Sequence, residues 1–555
     1  MPSDRIAPAC ALALLSLVAC TPGPKGDATS ASASESESDT ETGTETETDT
    51  ETETDTDGPA PIDLCPASSP PPAFAKIDEG VARGRVGACG HLLYVRGDAL
   101  VLRGPDLAVA EVLDGAPTLG QFSATGHLVA WEAADGVTIR DLRDASEHHE
   151  PGISAHGFVA SADPAIGARL WACKGGVLGV VDLDAGFQAL DDAALCDPQT
   201  IVAAAAGPIV VYGAADDQLR RVDVDSGEVV TLDVEYRHES LGDGSRADAF
   251  TVSATGALVV HDRIWIELPP DIDTELPHFE GSTLLAVESG ASLKAAAAGF
   301  GLLEAEAPGL PLILRGPSEA WVVDAGLALT PLDAALRPRA LLDDRQRLLA
   351  HDGAGLGLHD LEGASWTPWI PGAADVLSAA KLSTDEGSLA ARVDTPGCVT
   401  NPNNGECTLV VSELHLARGG AVQSLARFAR GVDALAVSDH GAVLASIGLL
   451  AEPAPSEAIT DGVFVIDEGG AIVHQWLAEP GTPRIRALAA RGDRFVAAIQ
   501  GVDGIALEHV DAASGAVTTL IPAVGFDLEL TLDRAGERAF FVDRAAGTLH
   551  AGVLP

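Results

Sequence analysis

Positive charge is what this chain has least of. Its 555 residues carry 34 lysines and arginines against 82 aspartates and glutamates, a formal net charge of −48. A field of that sign repels phosphate backbones and anionic lipid heads, so nucleic acid is not an expected partner, whereas cationic ligands and basic proteins are admitted. Long apolar runs are scarce as well: the N-terminal one, Ile6 to Ala19, is shorter than the roughly 20 residues that span a bilayer core. The spacings that name a reaction are also missing. No CxxC pair occurs, His148, His149, Glu150 and His156 lack a helical HExxH frame, and Gly242 to Ser245 lacks the frame of a nucleophile elbow. The histidines read as a solvated loop between repeat units. Asp223, Asp225 and Glu228 resemble calcium ligands only superficially, because Gly227 comes too early for an EF-hand loop. No catalytic residue, metal ligand or cofactor is therefore assigned, with calcium the one cofactor left open.

What is present begins with an address. Met1 to Arg5 is short and polar, the apolar run follows, and Leu17, Val18 and Ala19 precede Cys20. This resembles a bacterial lipoprotein signal peptide, which implies cleavage after residue 19, lipidation of Cys20 and contact with a membrane through that lipid anchor only. Thr21, where an aspartate would resemble an inner-membrane retention signal, points to the outer membrane or cell surface. An ordinary secretory signal is the competing reading. Residues 20–72 read as a disordered acidic tether: between Asp27 and Asp57 acids alternate with Ser and Thr, and no large apolar side chain appears before Ile62. With Lys25, this stretch holds about −11 of the charge and leaves about −37 on the body.

Six cysteines follow as sequence neighbours: Cys65 with Cys89, Cys173 with Cys196, Cys398 with Cys407. An even count behind an export signal favours disulfides over metal ligation. Asn401 to Gly405 makes the last pair the strongest, and closing that loop is worth about 2–3 kcal/mol in the chain-entropy model.

The body repeats. Ser-x-x-Gly or a close variant precedes apolar segments at Ser123, Ser253, Ser383 and Ser438, and apolar segments end in Asp with Gly soon after at Asp182, Asp223, Asp360, Asp467 and Asp511. Asp141, Asp182 and Asp223 stand 41 residues apart. Aspartate capping with a glycine at positive φ is hairpin chemistry, and a repeat of about 40 residues holding several short strands is the length of a four-stranded propeller blade. These marks resemble TolB-type and WD-repeat-like β-propellers. The expected fold is all-β. Eleven or twelve units exceed the roughly 4–8 blades usual in one ring, so two tandem propellers are expected, residues 73–330 and 331–555, with one large propeller as the alternative. The last unit lacks an outer strand, which residues 73–81 are placed to supply.

By analogy of fold alone, the expected role is a binding or scaffold module for an envelope protein or a polysaccharide. A hydrolase or lyase with a metal at the channel mouth and a purely structural envelope component are the alternatives. Trp366 and Trp369, flanking Pro368 in an expected loop, are the candidates for an exposed contact.

Overall fold

Two local devices cut the chain into four-stranded units. At the serine marks, Ser123, Ser253 and Ser438 are buried. Their carbonyls accept from the amides of Gly126, Gly256 and Gly441 at 2.9, 2.9 and 3.0 Å, and their hydroxyls from Leu128, Leu258 and Ala442 at 3.2, 3.0 and 3.0 Å. These glycines sit at φ 77, 81 and 88°, where only glycine avoids strain. At the second device the Asp182 carboxylate accepts from Asp184 and Ala185, Asp223 from Asp225 and Ser226, and Asp360 from Glu362 and Gly363. In the Asp360 turn the left-handed residue is Ala364, not Gly363.

The computed structural model describes residues 64–65 and 71–555, apart from 116–117, 242–243, 268–275, 287–291, 296–300, 306–308, 317–318, 325–327, 343, 381–387, 401–406, 419–420, 453–460, 478–483, 502–503 and 534–535. Cys20, the signal-peptide reading and nearly all of the tether lie outside these residues. From Pro61 onward the chain is one unit. Among the described residues the strands form eight four-stranded antiparallel sheets, one of six strands and one of seven. The seven-stranded sheet is two blades sharing one strand, Ala421–Val437, which bends through successive bulges to end one blade and begin the next. The six-stranded sheet is one blade with long second and third strands, Leu258–Glu267 and Leu276–Ala286, and an added hairpin, His238–Leu241 with Gly244–Ala247. The count is eleven blades, numbered here from the strand Val81–Val86, with strands a to d in chain order. Several b strands are built around apolar runs, such as residues 92–95 and 209–212, because a blade stacked on both faces has no polar side there.

The eleven blades form one ring, which corrects the expected pair of propellers. Each seam between neighbours has its own apolar cluster, and the series is unbroken. Around the expected boundary at Thr330, Ile313 and Ala320 of blade 6 pack with Leu348 and Ala350 of blade 7. At the chain ends, Phe540, Val542 and Leu549 of blade 11 pack with Val81, Tyr94 and Val101 of blade 1. Thr330 itself lies in a d strand, Leu329–Pro331. The repeat fades there because blade 5 is elongated, not because the core breaks.

Ring closure uses both chain ends. Ala75–Glu79 pairs antiparallel with Thr548–Val553 as the d strand of blade 11, and Gly80, at φ 71°, alone separates it from the a strand of blade 1. The same one-glycine connector, Gly152 and Gly372 at φ 78 and 72°, joins blades 2 to 3 and 7 to 8.

Candidate functional site

The two faces of the ring are built differently. The a–b and c–d turns share one face, and carboxylates bridge them from blade to blade: Asp225 accepts from the Ala162 amide at 2.7 Å, Glu304 from Ala254 at 3.0 Å and Asp493 from His440 at 3.1 Å. The Cys65–Cys89 disulfide pins the incoming chain to the first of these turns in blade 1. The opposite, connector face carries the b–c turns and the d-to-a links. It is irregular. The long strands of blade 5 and the hairpin Ser388–Thr400 with Cys407–Arg418 of blade 8 extend toward it, and Phe526, in the link from blade 10 to blade 11, is 73% exposed.

A cleft of about 630 Å³ opens on the connector face between the rims of blades 1 and 2, lined among others by Glu111, Asp114, Trp131, Asp135, Arg140 and His149. The hairpin register explains it. A capped turn after Asp141 sets Arg140 opposite Glu147 across strands c and d of blade 2, and Arg140 reaches on to Glu111 of blade 1 at 2.8 Å. Its guanidinium lies 5.5 Å from the ring centroid of Trp131, whose Nε1 donates to the Asp114 carbonyl at 3.1 Å. His149 Nε2 lies 2.9 Å from Asp135 Oδ1 and Nδ1 lies 3.1 Å from Thr138 Oγ1. Asp135, Glu111 and Glu147 keep their side chains 72, 52 and 40% exposed, so the cleft offers carboxylates to a cationic or hydroxyl-rich ligand. Its volume is that of a small-molecule site.

His148, His149 and Glu150 fall on the d strand Glu147–Pro151 and His156 on the next a strand, not in a loop. Burial pushes the Glu150 carboxyl up, but hydrogen bonds from Lys174, His148 and the Phe187 amide outweigh it and hold it below the usual range. Burial pushes the His156 imidazole down. Among the described residues no set of three His, Cys, Asp or Glu is placed to hold a metal. Asp225 is paired with Arg169 at 2.6 Å.

Cys65–Cys89 and Cys173–Cys196 are disulfides, which fits folding in an oxidising compartment. Cys398 and Cys407 lie near the tip of the blade 8 hairpin, Thr400 opposite Cys407, but their side chains are outside the described ones. Trp366 and Trp369 lie on the strand Trp366–Pro371, half-buried against seams 6–7 and 7–8, not in a loop. Sequence reasoning missed the cleft, although the Asp141 cap already implied the Arg140–Glu147 pair. No helix among the described residues is long and apolar enough to cross a membrane.

The fold defines a closed eleven-bladed β-propeller. No family model matches the chain and no curated protein aligns with it. Among solved structures it is similar to the dihydro-heme d1 dehydrogenase NirN, at 14% identity and TM-score 0.30 over 68% of this chain and 74% of that one. It is also similar to the Cps50 (Swd1) β-propeller domain of Myceliophteria thermophila, at 15% and 0.24 over 54% and 98%, and to an oligogalacturonate lyase in complex with manganese, at 9% and 0.25 over 70% and 85%.

Proposed function

We propose that this protein is an exported, lipid-anchored binding module of the cell envelope, whose connector face engages a protein or a polysaccharide. The observation that carries the reading is the asymmetry of the ring. One face is made of short capped turns tied to one another, while the other concentrates the elongated hairpins, the open cleft and the exposed Phe526. Variable loops on a rigid scaffold are where binding residues concentrate. The incoming chain is pinned at Cys65 to the a–b turn of blade 1, so a tether leading into it meets the body on the capped-turn face and leaves the connector face open. In this reading the lipid on Cys20 supplies location and the propeller supplies recognition.

Capture from native envelope extract tests it, with and without calcium chelation. The wild-type protein should retain a protein or polysaccharide that a Glu111→Gln, Asp135→Asn, Phe526→Ser variant retains weakly. Equal capture by both would remove the connector face from the proposal. Cys20→Ala should shift the protein from the membrane to the aqueous fraction, and persistence in the membrane would sink the anchor.

A further inference from the structure

The scarce positive charge is sorted by position in the blade. The a strands carry three Arg-x-Arg doublets, Arg83 with Arg85, Arg337 with Arg339, and Arg484 with Arg486, in blades 1, 7 and 10. All six side chains are exposed. Neighbouring a strands lie beside one another from blade 3 to 5, from 6 to 7 and from 8 to 11, and each a strand is hydrogen-bonded within its blade on one side only, so the a strands are the innermost and face the axis. Carboxylates on the a strands are few: Asp375, Asp433 and Glu529, the last held by Arg544 at 3.0 Å. The d strands at the rim carry eight carboxylates, so the sign of the charge reverses between rim and axis.

Four of these arginines, Arg85, Arg337, Arg484 and Arg486, also differ in company. Most guanidinium groups elsewhere find a carboxylate, as Arg169 finds Asp225, Arg220 finds Asp191 and Arg418 finds Glu468. Among the described residues neither Arg85 nor Arg484 has a carboxylate at ion-pair distance, Arg337 donates to the Ala334 and Leu336 carbonyls, and Arg486 donates to Gln500 Oε1 at 2.7 Å. In a chain so rich in acid, guanidinium groups left to solvent and neutral acceptors need another reason to be there. Arg486 also lies 5.8 Å from the ring centroid of the exposed Phe526, which sets an apolar platform beside an oxyanion donor at the connector-face end of the axis.

We propose that the axial wall of the ring binds an anionic polysaccharide, its carboxylate or sulfate groups received by the Arg-x-Arg doublets and a sugar ring by Phe526. Guanidinium forks match oxyanions of that geometry, and two arginines at i and i+2 on a strand stand about 6.5 Å apart. Three doublets on separate blades suit a ligand with repeated charges rather than a single small anion. A nucleic acid, with a charge every ~1.7 Å of duplex, meets far more repulsion from the acidic rim than a polymer charged once per sugar. The inference rests on reading the body as a binding module and names the ligand class.

Equilibrium binding of the purified protein to hyaluronan, dextran sulfate, neutral dextran and oligo-dT, at low and high salt, tests it. Hyaluronan or dextran sulfate should bind, neutral dextran and oligo-dT should not, and salt should weaken the binding. Arg484→Gln with Arg486→Gln, and separately Arg83→Gln with Arg85→Gln, should each weaken it about tenfold or more, with unchanged melting temperature. Lys76→Gln at the rim should leave it unchanged. Arg486→Lys, which keeps the charge and loses the fork, should fall between wild type and the double variant and covers the case of a doublet variant that does not fold. No anionic polymer bound at low salt, undiminished binding in the folded variants, or preference for oligo-dT would each overturn the inference. Capture of an envelope protein together with indifference to the polymers would overturn it while leaving the binding role intact.

Discussion

Seam 11–1 and seam 3–4 are held by the same side chains under different constraints. At seam 3–4, Asp191 on the d strand of blade 3 accepts from Tyr212 on strand b of blade 4 at 2.5 Å and from Arg220 on strand c at 3.0 Å. At seam 11–1, Asp78 on the closing strand accepts from Tyr94 on strand b of blade 1 at 2.6 Å and lies 3.4 Å from Arg103 on strand c, with Arg96 at 3.1 Å. Burial pushes the Tyr94 hydroxyl up to about 12, an effect its bond to Asp78 reinforces. Seam 3–4 is also crossed by the continuous chain and by Cys173–Cys196. At seam 11–1 the chain crosses only through the closing strand, whose place in blade 11 rests on non-covalent pairing. The latch adds to a seam that is already covalent in one case and is part of what closes the ring in the other.

The largest break is removal of the closing strand. Deleting residues 73–79 strips about five ladder hydrogen bonds from Thr548–Val553 and removes Asp78. At about 1 kcal/mol each, before the cost of baring the strand edge, this should lower the melting temperature far more than deleting seven residues of the acidic tether. Equal melting curves would mean that the ring does not depend on this strand. Next comes Cys173→Ser with Cys196→Ser. The bridged residues are 23 apart, so about 3 kcal/mol should be lost in denaturant titration, which takes from seam 3–4 its covalent advantage and brings it closer to seam 11–1.

How much of this the sequence disclosed depends on range. The hairpin turns were legible because Ser123, Asp182 and their counterparts bond amides within five residues of themselves. The missing outer strand of the last blade was legible from the count of strands after Phe541. The single ring was legible only as the alternative to two propellers, because the seams are written in apolar residues such as Ile313 and Leu348, which carry no motif, and because the long strands of blade 5 imitate a domain boundary. The connector glycines Gly152 and Gly372, each after a proline, were a readable blade-junction mark that went unused. The latches were half visible: all three tyrosines are buried in seams, and Tyr94 with Arg103 and Tyr212 with Arg220 have near-equal spacing, but their aspartate partners follow only once the blade order is known. The cleft and the axial arginines needed the same knowledge.

Smaller effects come from the latches themselves. Asp78→Ala and Asp191→Ala each leave a tyrosine hydroxyl and a guanidinium without their acceptor, and should cost about 1–3 kcal/mol. The Asp78 change should be the larger in an otherwise intact protein. Acid should act the same way. Burial raises both carboxyls, but the tyrosine bond, a backbone amide (Glu79 for Asp78, Ala193 for Asp191) and arginine outweigh it and hold each below the ordinary value. A group depressed in the folded state contributes its stability above its unfolded pKa of about 3.9 and loses it as pH falls through the folded value. Wild type should therefore lose more stability below about pH 4 than Asp78→Asn does, and parallel acid profiles would exclude Asp78 from the loss.

The smallest and sharpest comparison is Tyr94→Phe against Tyr212→Phe. Each keeps the ring and its packing and removes one hydroxyl, so each should cost about 1 kcal/mol. In the protein with both disulfides, unfolding that begins at the chain ends opens seam 11–1 first. Tyr94→Phe should then speed unfolding, while Tyr212→Phe, behind a covalent crossing, should lower equilibrium stability with little change in the unfolding rate. Removing Cys173–Cys196 should erase that difference. If the two variants unfold at equal rates with the disulfide intact, opening does not start at seam 11–1, and the equivalence of the two latches extends from geometry to kinetics.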